Sequence, residues 1–179
     1  MDALPVYLAL FAILLASLSI HEAAHAWAAD RLGAPRARLL GRLTLNPVAH
    51  IDPIGTLLLP GLAIVTGLPI IGWAKPVPVN LNQLRHPRRD FMYIAAAGPA
   101  SNLLQAGVLA GAAWLLYPGG LERSLVAELL VIGVQINVLL ALFNLIPVPP
   151  LDGGNVIGGL LPEHVADAYD RFVRPWGFL

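Results

Sequence analysis

His21 and His25 stand four residues apart in "SIHEAAHAW", with Glu22 between them, at the end of an almost wholly apolar run that begins at Leu4. On a helix that spacing is one turn, so both imidazoles leave one face and can reach a single ion, with Glu22 beside that face. Two neutral imidazoles bind zinc at about 2.0–2.1 Å, and an adjacent glutamate can take a proton from water at the metal. A purely structural histidine pair with a glutamate wedged in it would leave a charge to neutralise in apolar surroundings. Metal binding is the better reading of the three residues.

A catalytic zinc site needs a third protein ligand, with the fourth position left open. The chain has no cysteine, so any zinc must be held by His, Asp or Glu. The best candidate is Asp152 in "FNLIPVPPLDGGN". Pro147, Pro149 and Pro150 must end the helix before it and send the chain on as an extended turn. Gly153 and Gly154 then give Asp152 a tight, close-packed setting. The rival reading makes Asp152 a cap for the segment that follows. His50 and His86 have no HExxH-like partner and read as loop histidines rather than ligands.

The elements that must position these residues are membrane elements. The chain is 57% hydrophobic and 12% charged, with a mean hydropathy of +0.70, against about 25% charged residues in a soluble domain. A formal net charge of zero gives no reason to expect nucleic acid. No linker, charge block or repeat divides residues 1–179, so a single membrane domain is expected. The run from Leu4 to Ala29 lacks a basic n-region and carries the histidines in its last turns, which argues against a cleaved signal peptide. Phe91 to Tyr117 and Leu125 to Ile146 are two further spans, separated by Tyr117-Pro118-Gly119-Gly120. Gly107 and Gly111 form a GxxxG pair, read as helix packing. Asn155 to Tyr169 reads as a surface or interfacial helix.

Ile54 to Trp73 is less regular, broken by Pro60, Gly61, Gly67, Pro69 and Gly72. Arg31, Arg36, Arg38 and Arg42 precede it, and Lys75, Arg85, Arg88 and Arg89 follow it, together eight of the eleven Lys and Arg. Basic loops stay cytoplasmic. The segment between them should therefore enter and leave on one side, as a re-entrant or broken helical hairpin; the alternative is an ordinary span that breaks the charge rule. The expected fold is an all-α integral membrane protein: a core of three transmembrane helices, a re-entrant or broken helical segment, and short extended stretches near the cytoplasmic face. With that parity Asp152 arrives on the side where His25 lies.

"HEAAH", "GRLTLNPVAHIDPIGTLLLP", "GWAKPVPVN", "AGPASN" and "FNLIPVPPLDGG", in that order over roughly Ile20 to Gly154, resemble the site-2 protease family of intramembrane zinc metalloproteases in its short bacterial and archaeal form. The resemblance implies His21, His25 and Asp152 as ligands of one zinc ion and Glu22 as catalytic base. It places the site within the cell (inner) membrane, opening toward the cytoplasm. Asn144 matches the asparagine of the family's NxxPxxPxDG motif, which implies contact with substrate backbone or the developing oxyanion; a helix-packing hydrogen bond is the competing role. Asn102 in "GPASN" reads first as a polar tie between helices. No PDZ-like or CBS-like stretch is seen. The family usually has helices after the Asp motif, whereas this chain stops at "RFVRPWGFL", a pattern that fits a trimmed chain.

The expected partners are a transmembrane-helix substrate protein and membrane lipid. Such a substrate must unwind, and "GWAKPVPVN" could pair with it as an edge strand; a turn at the membrane surface is the plainer alternative. A membrane metal transporter or an inactive scaffold holding client helices is the other functional class. A transporter needs ligands along a path open to both sides, and here the ligand-type residues at depth lie on one side. A scaffold would carry a damaged motif, and all four residues are intact.

Overall fold

The computed structural model describes residues 3–68, 72–120 and 124–173. Helix α1 (Ala3–Arg31) and helix α4 (Pro87–Leu116) are the longest, with α2 (Arg36–Leu39) and α3 (Leu59–Thr66) between them. Helices α5 (Leu125–Asn144), α6 (Asp152–Leu160) and α7 (Glu163–Val173) complete the order, and no strand occurs among the described residues. Among the described residues two helices are long and apolar enough to cross a membrane, Pro5–Arg31 and Leu125–Asn144. The 20 residues of α5 rise about 30 Å, the thickness of a bilayer's hydrocarbon core. Helix α4 has the length but opens with Arg88, Arg89 and Asp90.

Local sequence sets the ends of these helices. Pro87 occupies the first turn of α4, where its missing N–H is not needed. The Asp90 carboxylate accepts from His86 N at 2.9 Å. Ser124 caps α5 by accepting from Ala127 N. Pro162 divides what the sequence suggested as one helix over 155–169: α6 stops at Leu160, α7 starts at Glu163, and Asp152 itself opens α6.

Helix α4 is central, packed on α1, α5 and α6. The residues it and its neighbours bury are small, Ala26, Ala29, Ala95, Ala106 and Ala141 among them, while Leu8, Leu104, Trp114, Leu115 and Leu139 face outward. Small inside and large apolar outside is the packing of helices in lipid, where close backbone approach replaces hydrophobic burial. The close approaches are at Gly133, where an added Cβ would press on Leu109, and at Gly98 against the histidines. Gly107 and Gly111, expected to be packing positions, face open space instead; α4 turns its other face to α1 and α5.

The irregular segment begins with a wide π-type turn over Pro53–Leu58, whose first amides, of Ile54 and Gly55, bond to the Asp52 carboxylate. It continues as α3 and ends at Gly67 in the left-handed conformation that glycine adopts without strain. Its two ends meet. Trp73 N donates to Gly55 O at 3.2 Å, and Thr56 Oγ1 donates to Trp73 O at 2.8 Å. The Arg42 guanidinium ties the same place together, donating to the carbonyls of Ala49, Lys75 and Pro76.

Candidate metal centre and active site

Helix α1 turns His21 and His25 toward α4, both buried. Their rings meet edge to face, centroids 4.6 Å apart at 83°. The two Nε2 atoms are 3.0 Å apart. Asp152 Oδ2 lies 3.2 Å from that of His21 and 3.3 Å from that of His25.

Asp152 is placed by the turn before it. The Gly153 Cα sits against the carbonyls of Leu145 and Ile146, and Gly154 sits against Pro149, so a side chain at either position would collide. The Tyr169 hydroxyl donates to Pro147 O at 2.7 Å, and Arg88 Nε donates to Gly158 O at 2.7 Å. The Arg88 bond ties α6 to α4, and the Tyr169 bond ties α7 to the turn that precedes Asp152. The carboxylate does not cap its helix: Oδ2 is buried without a hydrogen-bond partner.

These residues fit a metal ion. His25 Nδ1 is 2.7 Å from the Ile94 carbonyl, which can only accept, so Nδ1 carries the proton and Nε2 the lone pair. His21 Nδ1 is 2.5 Å from Asn102 Oδ1, with the same consequence. Three acceptor atoms then face one another in a buried space, an arrangement that a metal cation satisfies. Two ligands at about 2.0–2.1 Å from one tetrahedral zinc lie about 3.3 Å apart, close to the spacings seen. Gly98 of α4 keeps the space open, since a Cβ there would run into both Nε2 atoms. His21, His25 and Asp152 form the group of potential metal ligands found among the described residues.

Glu22 is buried beside the histidines and lines the same cavity of about 540 Å³. Asn144 lines it too. Its amide donates to Leu140 O of its own helix, 2.9 Å away. Gly72, Trp73, Ala74, Pro76, Val77 and Val79, from a stretch without regular secondary structure, form another wall. His50, buried elsewhere, bonds Thr44 O at 2.9 Å and is not part of the group.

Two residues at the site were not singled out by the sequence reading. Gly98 lies within "AGPASN" and has no signal of its own there. Asn137, buried in "VIGVQINVLL", bonds Asn102; a polar side chain inside an apolar span was the signal that could have found it.

Comparison with known proteins agrees with this geometry. Residues 119–176 match Peptidase family M50, a stretch holding Asp152. YwhC of Bacillus subtilis (strain 168), which bears a zinc metalloprotease name, is 40% identical over 157 residues, covering 85% of this chain and 68% of YwhC. Rip2 of Mycolicibacterium smegmatis, named likewise, is 33% identical over 97% of this chain and 65% of its own length. Rip2 of Mycobacterium tuberculosis (strain H37Rv) is 35% identical over 78% of this chain and 52% of its own length. No solved structure gives a significant match. With His21, His25 and Asp152 brought together beside Glu22 and a relative matched over most of both chains, the protein belongs to peptidase family M50, the site-2 protease family of intramembrane zinc metalloproteases.

Proposed function

We propose that this zinc metalloprotease hydrolyses peptide bonds within or next to the transmembrane helices of membrane-protein substrates. The observation that carries the reading is the convergence of His21, His25 and Asp152 to within 4.8 Å on the cavity that Glu22 also lines. His25 is six residues from the end of α1 at Arg31, about 9 Å along the helix axis. With the basic end of α1 at the membrane surface, the site lies within the bilayer near that surface.

His21, His25 and Asp152 would hold the zinc beside the cavity. When bound, zinc would supply Lewis acidity to the water and the scissile carbonyl. Glu22 accepts the proton of the attacking water and passes it to the leaving amine. Burial of Glu22 keeps bulk water from competing for that proton. The Asn144 amide, at the cavity wall, donates to the scissile carbonyl oxygen as charge develops on it. An unwound substrate lies along Gly72 to Val79, which already forms a wall of the cavity, and its backbone pairs with that extended edge.

Helices α1, α4 and α5 form the three-helix core, and residues 54–73 re-enter the membrane. Support comes from the bonds joining Gly55 and Thr56 to Trp73 and from the basic residues on both flanks. By the charge rule the basic side is cytoplasmic, so the cavity opens to the cytoplasm of an inner-membrane protein surrounded by lipid. The test is cleavage of a single-span substrate by the purified protein, with and without a zinc chelator. Chelator-sensitive cleavage within the span supports the reading, and chelator-resistant cleavage contradicts it.

A further inference from the structure

Behind His21 a line of buried polar side chains crosses all three long helices. Asn102 Oδ1 faces His21 Nδ1 at 2.5 Å, and Asn102 Nδ2 donates to Asn137 Oδ1 at 2.8 Å. Asn137 Nδ2 donates onward to Ser17 Oγ at 3.0 Å and to Gly133 O at 2.9 Å. Asn102 is 0% exposed, Asn137 1% and Ser17 3%, so no solvent substitutes for a missing partner.

We infer that Asn137 is a positioning residue for the metal centre, acting through Asn102 to fix which nitrogen of His21 carries the proton. An amide side chain is two-faced, and Asn102 turned the other way would present NH₂ to His21. Nδ1 would then have to accept, the proton would move to Nε2, and the metal-facing lone pair would be lost. The direction of the chain is set at its far end. Gly133 O is a backbone carbonyl and can only accept, so the Asn137 NH₂ must face it and the Asn137 oxygen must face Asn102. The Asn102 NH₂ is consumed there, and its oxygen is left for His21. His25 receives the same instruction directly from the Ile94 carbonyl. The two imidazoles are thus oriented by backbone carbonyls of two different helices, one at first hand and one through two amides. Partners of this kind orient a ligand and are worth about 10–100-fold in metal affinity.

The inference rests on His21 being a zinc ligand, and the test separates the two. Zinc affinity is measured by chelator competition on the purified full chain in detergent. Asn137→Leu removes the acceptor for the Asn102 NH₂ at similar volume, and affinity should fall about 10–100-fold. Adding Asn102→Asp should restore it to near the native value, because a carboxylate presents oxygen to His21 whichever way it turns. A lost packing contact would not be repaired by that second change. Asn137→Ala carries the same comparison where Asn137→Leu does not fold. Native affinity in the Asn137 variant, or a loss that Asn102→Asp leaves in place, overturns the inference. A native protein that binds no zinc contradicts the metal reading itself.

Discussion

His21 and Asp152, from opposite ends of the chain, bring Nε2 and Oδ2 to 3.2 Å, with nothing but lone pairs and negative charge between them and His25. Each of the three is held from behind, by Asn102, by Ile94 O and by the Gly153-Gly154 turn. The site is therefore built before an ion arrives, and the expectations below concern what happens when one part of it changes.

Asp152→Ala leaves two imidazoles and no anion. Zinc content after purification, measured by elemental analysis, should fall well below one ion per chain, and proteolysis should fall with it. Full occupancy in this variant would move the third ligand to another residue.

Glu22→Gln keeps every ligand and removes the proton acceptor. Zinc should stay near the native amount while the cleavage rate drops about 10²–10⁴-fold, the usual worth of a general base. A variant purified without zinc would make Glu22 a ligand rather than the base.

Gly98→Ala places a methyl group against both Nε2 atoms. Zinc affinity should fall at least about 10-fold, a loss of about 1.4 kcal/mol or more. Gly107→Ala, on the open face of the same helix, should leave it unchanged. Equal affinities in the two variants would show that α4 does not close the site at Gly98.

The grouping of His21, His25 and Asp152 was legible because each residue carries its own signal: helical spacing for the histidines, and a proline-glycine turn for Asp152. The irregularity of residues 54–73 was legible from its prolines and glycines. The polar line behind His21 was not, since Ser17, Asn102 and Asn137 lie far apart in sequence and meet only when three helices pack. The GxxxG at Gly107 misled for the same reason: spacing shows that a face is flat, and only the neighbours decide whether it is covered. Pro162 was the visible mark that α6 and α7 would separate, but the amphipathic pattern across it suggested one helix.

Residues 54–73 should return to the side they left. Single cysteines at Arg38 and Gln83, in a chain with none of its own, should react with an impermeant thiol reagent from the same, cytoplasmic face. Opposite labelling would mean the segment spans the bilayer, in conflict with the Gly55–Trp73 pairing.

The most direct test of the central claim is to incubate the purified chain with a single-span substrate in lipid vesicles and locate the cut by mass spectrometry. The expected result is cleavage within or beside the span, abolished by a zinc chelator, restored by added zinc and absent in Glu22→Gln. Cleavage that persists in Glu22→Gln or in the presence of the chelator would contradict a zinc protease built on His21, His25 and Asp152.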